Sequence, residues 1–152
     1  MLKQIRTDKK VVIVFSLSLL IVSLMQPAFF TANDSPDALN LSSVGIFFLG
    51  WMGFLGGALE SFFWIANPLY ILAIFLFAKN RSKAILVSTF ASILAVSFTI
   101  LDTFFANEGG GRTAITGYGM GYILWVSSLI MLTIGILITN IRSSKMATRS
   151  TN

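Results

Sequence analysis

Cysteine and histidine are both absent from the 152 residues. Their absence excludes disulfides, thiolate nucleophiles, zinc fingers, His-ligated haem and the Ser-His-Asp triad. Charge is scarce as well. Charged types make up 11% of the chain, against about 25% in an average soluble domain. Hydrophobic types reach 55% and the mean hydropathy is +0.82. A soluble globular domain does not fit that balance. A disordered chain does not fit either, because it needs low hydrophobicity and high charge. No phosphate-loop pattern occurs, since Gly-Lys-Ser and Gly-Lys-Thr are both missing, and no cofactor or metal is expected.

What is present is a set of long apolar runs flanked by basic residues. Net charge is +5 and the pI is near 9.9. In a soluble protein that would suggest nucleic acid. Here the bases lie in short runs beside apolar stretches, so membrane topology accounts for them and no nucleic-acid partner is expected. Four stretches are long enough for a bilayer, which takes about 20 residues. The expected spans are 11–30, 60–78, 84–105 and 118–141, in one integral membrane domain covering 1–152. The first has a basic lead of Lys3, Arg6, Lys9 and Lys10 and so resembles a signal peptide. Its apolar run is too long for one, and Phe30 is bulky where cleavage after Ala32 needs a small residue, so a retained helix is favoured.

The stretch Val44 to Ala78 would reach roughly 50 Å as one helix, too long for a simple span and too short for two. It reads as a re-entrant or interfacial helix over 44–59, with Ser43 as N-cap, followed by the true span. One long tilted helix is the competing reading. Every Lys and Arg except Arg112 then falls on one side. By the positive-inside rule both termini and the turn Lys79 to Lys83 face the cytoplasm. Asn33 to Ser43 and Ala106 to Gly117 face outward. The expected fold is an all-α membrane bundle of four spans with one extra outward segment.

The candidate functional residues gather in the outward half. Trp51, Trp64, Trp125, Tyr118 and Tyr122 lie there, as an aromatic belt would, though a simple belt would serve both interfaces. Glu60 and Asp102 are each 21 residues from Arg81. In antiparallel helices joined by a short turn they reach the same height. Two facing carboxylates repel unless a cation intervenes, and Arg112 is the only outward base; Glu108 is a further candidate partner. The plain alternative is that each acid simply meets headgroups and water. Asn67 lies seven residues below Glu60 on nearly the same face, with Trp64 between them, and Pro68 beside it predicts a kink. The expected polar cluster is therefore Glu60, Asp102 and Arg112 above Asn67, walled by Trp64, Tyr122 and Trp125. Small residues Ser88, Ser92 and Ala95 share one face of the third span, and Gly121, Ser128 and Gly135 one face of the fourth. Both stripes suit close helix contact, within the chain or in a homo-oligomer.

The glycines of 109–111 and those of Ile115-Thr116-Gly117-Tyr118-Gly119-Met120-Gly121-Tyr122 read as a turn feeding the fourth helix. Thr-Gly-Tyr-Gly resembles a potassium-channel filter but lacks one residue and a preceding pore helix. Gly50-Trp51, Trp64-Ile65-Ala66-Asn67-Pro68-Leu69 and Ile115 to Trp125 resemble an uncharacterised group of small bacterial four-helix membrane proteins. The resemblance covers about Gly50 to Gly135. It implies a bacterial inner-membrane location and brings no activity or site. The expected function is non-enzymatic, with no catalytic residue. The protein would engage a membrane or envelope partner through its outward half, as an immunity or envelope-defence component facing a toxin would. The alternative is a small oligomeric transporter or channel. It is similar to small multidrug exporters in size, but its acid lies in the second span. An enzyme acting on lipid headgroups would have only Glu60 and Asp102 as an acid/base pair.

Overall fold

The computed structural model describes residues 2–32, 43–56, 60–105 and 111–149. Helix predominates. α1 spans Leu2–Leu24, α2 Ser43–Leu49, α3 Ser61–Trp64, α4 Ala66–Ala78, α5 Ala84–Ser97 and α6 Met120–Arg149, with 3-10 turns at Gly50–Gly56 and Phe98–Ile100. Among the described residues, two helical stretches are long and apolar enough to cross a membrane, Ser61–Ala78 and Met120–Lys145. α1 packs along α6, and α5 packs against both α4 and α6.

The fold is not purely helical. β1 (Phe29–Thr31), β2 (Thr103–Phe105) and β3 (Arg112–Tyr118) form an antiparallel sheet in the order β1-β3-β2. This corrects three expected boundaries. The first helix ends at Leu24 and its last apolar residues become β1. The third ends at Ser97, and 98–105 continue as a 3-10 turn and β2. The glycine-bearing segment before the last helix is a strand for most of its length. The cause is long-range pairing: Phe29 faces Tyr118 and Phe105 faces Arg112, so backbone groups that a helix would satisfy internally are satisfied across the sheet. The segment 44–59 also divides, into α2 and a 3-10 turn over the described residues. The Ser43 hydroxyl donates to Gln26 O.

Pro68 explains the break between α3 and α4. It stands in the first turn of α4, where its missing N–H is tolerated, and chain continuity passes through Ile65 with Leu69 N–H donating to Ile65 O at 3.2 Å. At the other end α4 closes with a left-handed Asn80 (φ 57°). Asn80 N–H donates to Phe77 O and Arg81 N–H to Leu76 O, which satisfies the last carbonyls and turns the chain into α5. Lys9 of α1 bonds Asn80 Oδ1 at this basic end.

Both small-residue stripes are used inside the chain. Gly121 abuts the turn after α1, where an added Cβ would lie 2.7 Å from Gln26 O and Pro27 O, and Gly135 abuts Val12. Between them Ser128 O accepts from Ser16 Oγ at 2.8 Å, and the Tyr70 phenol is 2.6 Å from the same Ser16 oxygen. One polar junction thus joins α1, α4 and α6 amid the apolar core of Leu20, Ala73, Leu129 and Leu132. On α5, Ser88 and Ala95 are buried, and Ser92 meets Thr133 of α6 at 3.0 Å.

Candidate functional site: a sheet-capped cavity with a buried carboxylate

Glu60 immediately precedes α3. Its side chain is 3% exposed and pairs with Arg112 of β3, whose side chain is 47% exposed. Arg112 Nη2 donates to Oε1. The other oxygen, Oε2, is buried and has no hydrogen-bond partner among the described residues. A carboxylate has about four acceptor positions, so this group is only partly satisfied.

Asp102 stands apart from that pair. It is exposed, and among the described residues it forms no ion pair with Arg112. Equal helical offsets from Arg81 assumed a helix through Phe105. Instead the chain is extended from Thr103 and pairs with β3, where Arg112 faces Phe105 and Asp102 O accepts from Ile115 N–H at 2.9 Å. Three residues along a strand separate the two by about 10 Å. Asp102 acts instead on Tyr118. Burial pushes that phenol above its ordinary value of 10.0, and the negative charge of Asp102 adds to the rise. Glu108 lies outside the described residues.

The remaining expected residues converge below Glu60. Trp125 Nε1 donates to Asn67 Oδ1 at 2.9 Å, Trp64 Nε1 to Phe47 O at 2.7 Å, and the Tyr122 hydroxyl to Ala95 O at 2.7 Å. These bonds tie α6 to α4, α3 to α2 and α6 to α5. Each aromatic body is thereby fixed with its polar tip satisfied. Tyr122 also lies 5.9 Å from Trp125 and 4.8 Å from Tyr118, ring to ring.

Together they surround a cavity of about 340 Å³, bounded by Ser23, Phe47, Glu60, Asn67, Tyr122 and Trp125 among others. The size falls within the range of about 300–1,000 Å³ typical of small-molecule sites. Sequence reasoning missed its roof, where Phe29 of β1 packs on Phe104 of β2 at 4.9 Å and on Phe98 at 5.7 Å. A signal existed in 112–118, seven residues rich in Thr, Ile and Tyr following a glycine run. Nothing local marked the three-residue partners. Among the described residues no group of three or more Asp or Glu side chains is placed to hold a metal ion. No protein-family model, curated protein or solved structure matches the chain.

Proposed function

We propose that this chain is a multi-pass protein of a bacterial inner membrane, with both termini cytoplasmic, that binds a membrane or envelope partner through its outward end without catalysing a reaction. Four segments would cross: α1, α3 with α4, α5, and α6. Two of these meet the length and hydropathy of a span. Support for the other two comes from their surfaces. Val14, Phe15 and Ile21 of α1 and Leu86, Phe90 and Ile93 of α5 are exposed, as are Ile71 and Phe75 of α4 and Ile134 and Leu137 of α6. Such a continuous apolar surface is untenable in water and natural in lipid.

The observation that carries the partner-binding reading is the inequality of the two ends. The basic end is a short turn and two helix termini. The other end holds the sheet, the cavity, the Glu60–Arg112 pair and the aromatic roof. Beside them α2 and the following 3-10 turn expose Phe48, Leu49, Met52 and Leu55. No Asp, Glu, Lys or Arg occurs from Ser61 to Ala78, from Ala84 to Leu101 or from Tyr118 to Ile141. Transport through a charged relay at mid-membrane therefore has little to work with.

Reporter fusions after Arg149 and within Lys79 to Lys83 should be cytoplasmic, and fusions near Asn33 and Gly110 exported. A cytoplasmic Gly110 fusion overturns the threading. A photo-crosslinking residue at Met52 or Leu55 should yield a discrete protein adduct in cells, whereas one at Ser82 should not. Lipid adducts alone at all three positions would overturn partner binding.

A further inference from the structure

We propose that the cavity beneath the sheet binds an uncharged amphiphile, an apolar chain carrying a hydroxyl or amide N–H, whose head donates a hydrogen bond to Glu60 Oε2. This goes beyond the partner-binding reading and rests on the proposed threading only for the side of the membrane from which the ligand is drawn.

Three features select that chemistry. The first is the acceptor. Glu60 lines the cavity, its side chain is 97% buried, and Oε2 lacks a donor among the described residues. An unsatisfied buried charged acceptor is strongly unfavourable, and buried polar groups are otherwise almost always paired. A donor arriving with a ligand relieves that state. The second is the wall. Leu24, Phe29, Ile46, Phe47 and Leu49 present apolar surface to the cavity, which suits a hydrocarbon chain rather than a polar solute. Leu49 is also exposed on the outside, so the cavity wall is continuous with the apolar outer face of α2 and the 3-10 turn after it. The third is charge. Arg112 already neutralises Glu60. An ammonium head would carry an uncompensated charge into an apolar space, and a carboxylate head would face Oε2 with like charge. A neutral donor satisfies the oxygen and adds no charge.

The test uses the full chain carrying Trp51→Phe in phosphatidylcholine nanodiscs, so that Trp64 and Trp125 at the cavity are the remaining indoles. A brominated monoacylglycerol is titrated in and Trp quenching is read. Saturable quenching is expected at low mole fraction. The brominated methyl ester of the same chain has no donor, and a chain-matched quaternary ammonium is charged. Each should bind about tenfold or more weakly, the loss of one hydrogen bond to a charged group. Glu60→Leu should abolish the preference for the hydroxyl head, and Ala28→Phe, which fills the cavity from β1's approach, should abolish saturation. If Glu60→Leu does not fold, the head-group series and Ala28→Phe still decide. Quenching that rises linearly and equally for all three probes, or that is unchanged in Ala28→Phe, overturns the proposal. Saturable binding with a cytoplasmic Gly110 fusion would leave the cavity assignment standing and overturn only the threading.

Discussion

Arg112, in the middle strand of the sheet, is ion-paired with Glu60 at the start of α3, residues 52 apart in sequence. The pair is asymmetric, with a buried carboxylate and a half-exposed guanidinium. Its net contribution is modest while intact, because burying charge offsets the attraction. Its removal is the informative change. Arg112→Ala leaves a buried carboxylate unpaired, and a loss of about 1–3 kcal/mol or more is expected. Adding Glu60→Gln should recover part of it, with a coupling of roughly 0.5–3 kcal/mol in a double-mutant cycle. Asp102→Asn should combine additively with Arg112→Ala, since strand geometry holds Asp102 away. Thermal melts in detergent read both, and strong Asp102 coupling would contradict this arrangement.

Asp102 should show itself through Tyr118 instead. The folded phenol titrates above its ordinary value of 10.0, by burial first and by the Asp102 charge second. Because the folded value exceeds the unfolded one, the associated stability is complete below pH 10 and is lost as pH rises through the folded value. Asp102→Asn should shift tyrosinate formation at this residue toward lower pH and shrink the alkaline loss. Absorbance titration, with Tyr118→Phe subtracted to remove the other tyrosines, measures it. An unmoved titration would place Asp102 too far from the phenol to act on it.

Hydropathy and the placement of Lys and Arg were enough to mark the helical segments, because both are properties of a residue and its near neighbours. The sheet was hidden for the opposite reason. Phe29 to Thr31 and Thr103 to Phe105 are three-residue apolar pieces continuous with helical runs, and periodicity does not separate such pieces from helix ends. They become strands only when Arg112 to Tyr118 arrives to pair with them. Asp102 was misplaced by the same omission, since helical rise was counted through an extended segment. Asn67, Trp64, Tyr122 and Trp125 were each visible as outward aromatic or polar residues. Which atom bonds which was not, because every one of their partners lies on another element.

Ala95 tests the small-residue faces. It is fully buried, and its carbonyl accepts from Tyr122. Ala95→Leu forces added volume into a closed contact inside one chain, with an expected loss of about 1–3 kcal/mol. The melting temperature should fall while the mass measured in mild detergent stays the same. A lowered mass with an unchanged melt would mean that this face joins copies of the chain rather than α5 to its neighbours.

The bond from Trp125 to Asn67 yields a prediction in which a second substitution repairs the first. Asn67 is 5% exposed, and its Oδ1 takes the indole N–H at 2.9 Å. Trp125→Phe keeps an aromatic ring against Tyr122 but strips that acceptor of its donor, so about 1–3 kcal/mol should be lost. Asn67→Leu alone leaves the indole N–H unpaired and should also destabilise. Made together, the two changes remove both polar partners and leave side chains of similar bulk, and such paired replacement is close to neutral. The double variant should therefore melt above the Trp125→Phe single variant. Were water or a lipid headgroup satisfying Asn67 in place of Trp125, the losses would simply add and the double variant would be the least stable of the set. The calorimetric order of the four proteins thus decides whether the floor of the cavity is held by a dry hydrogen bond between α4 and α6.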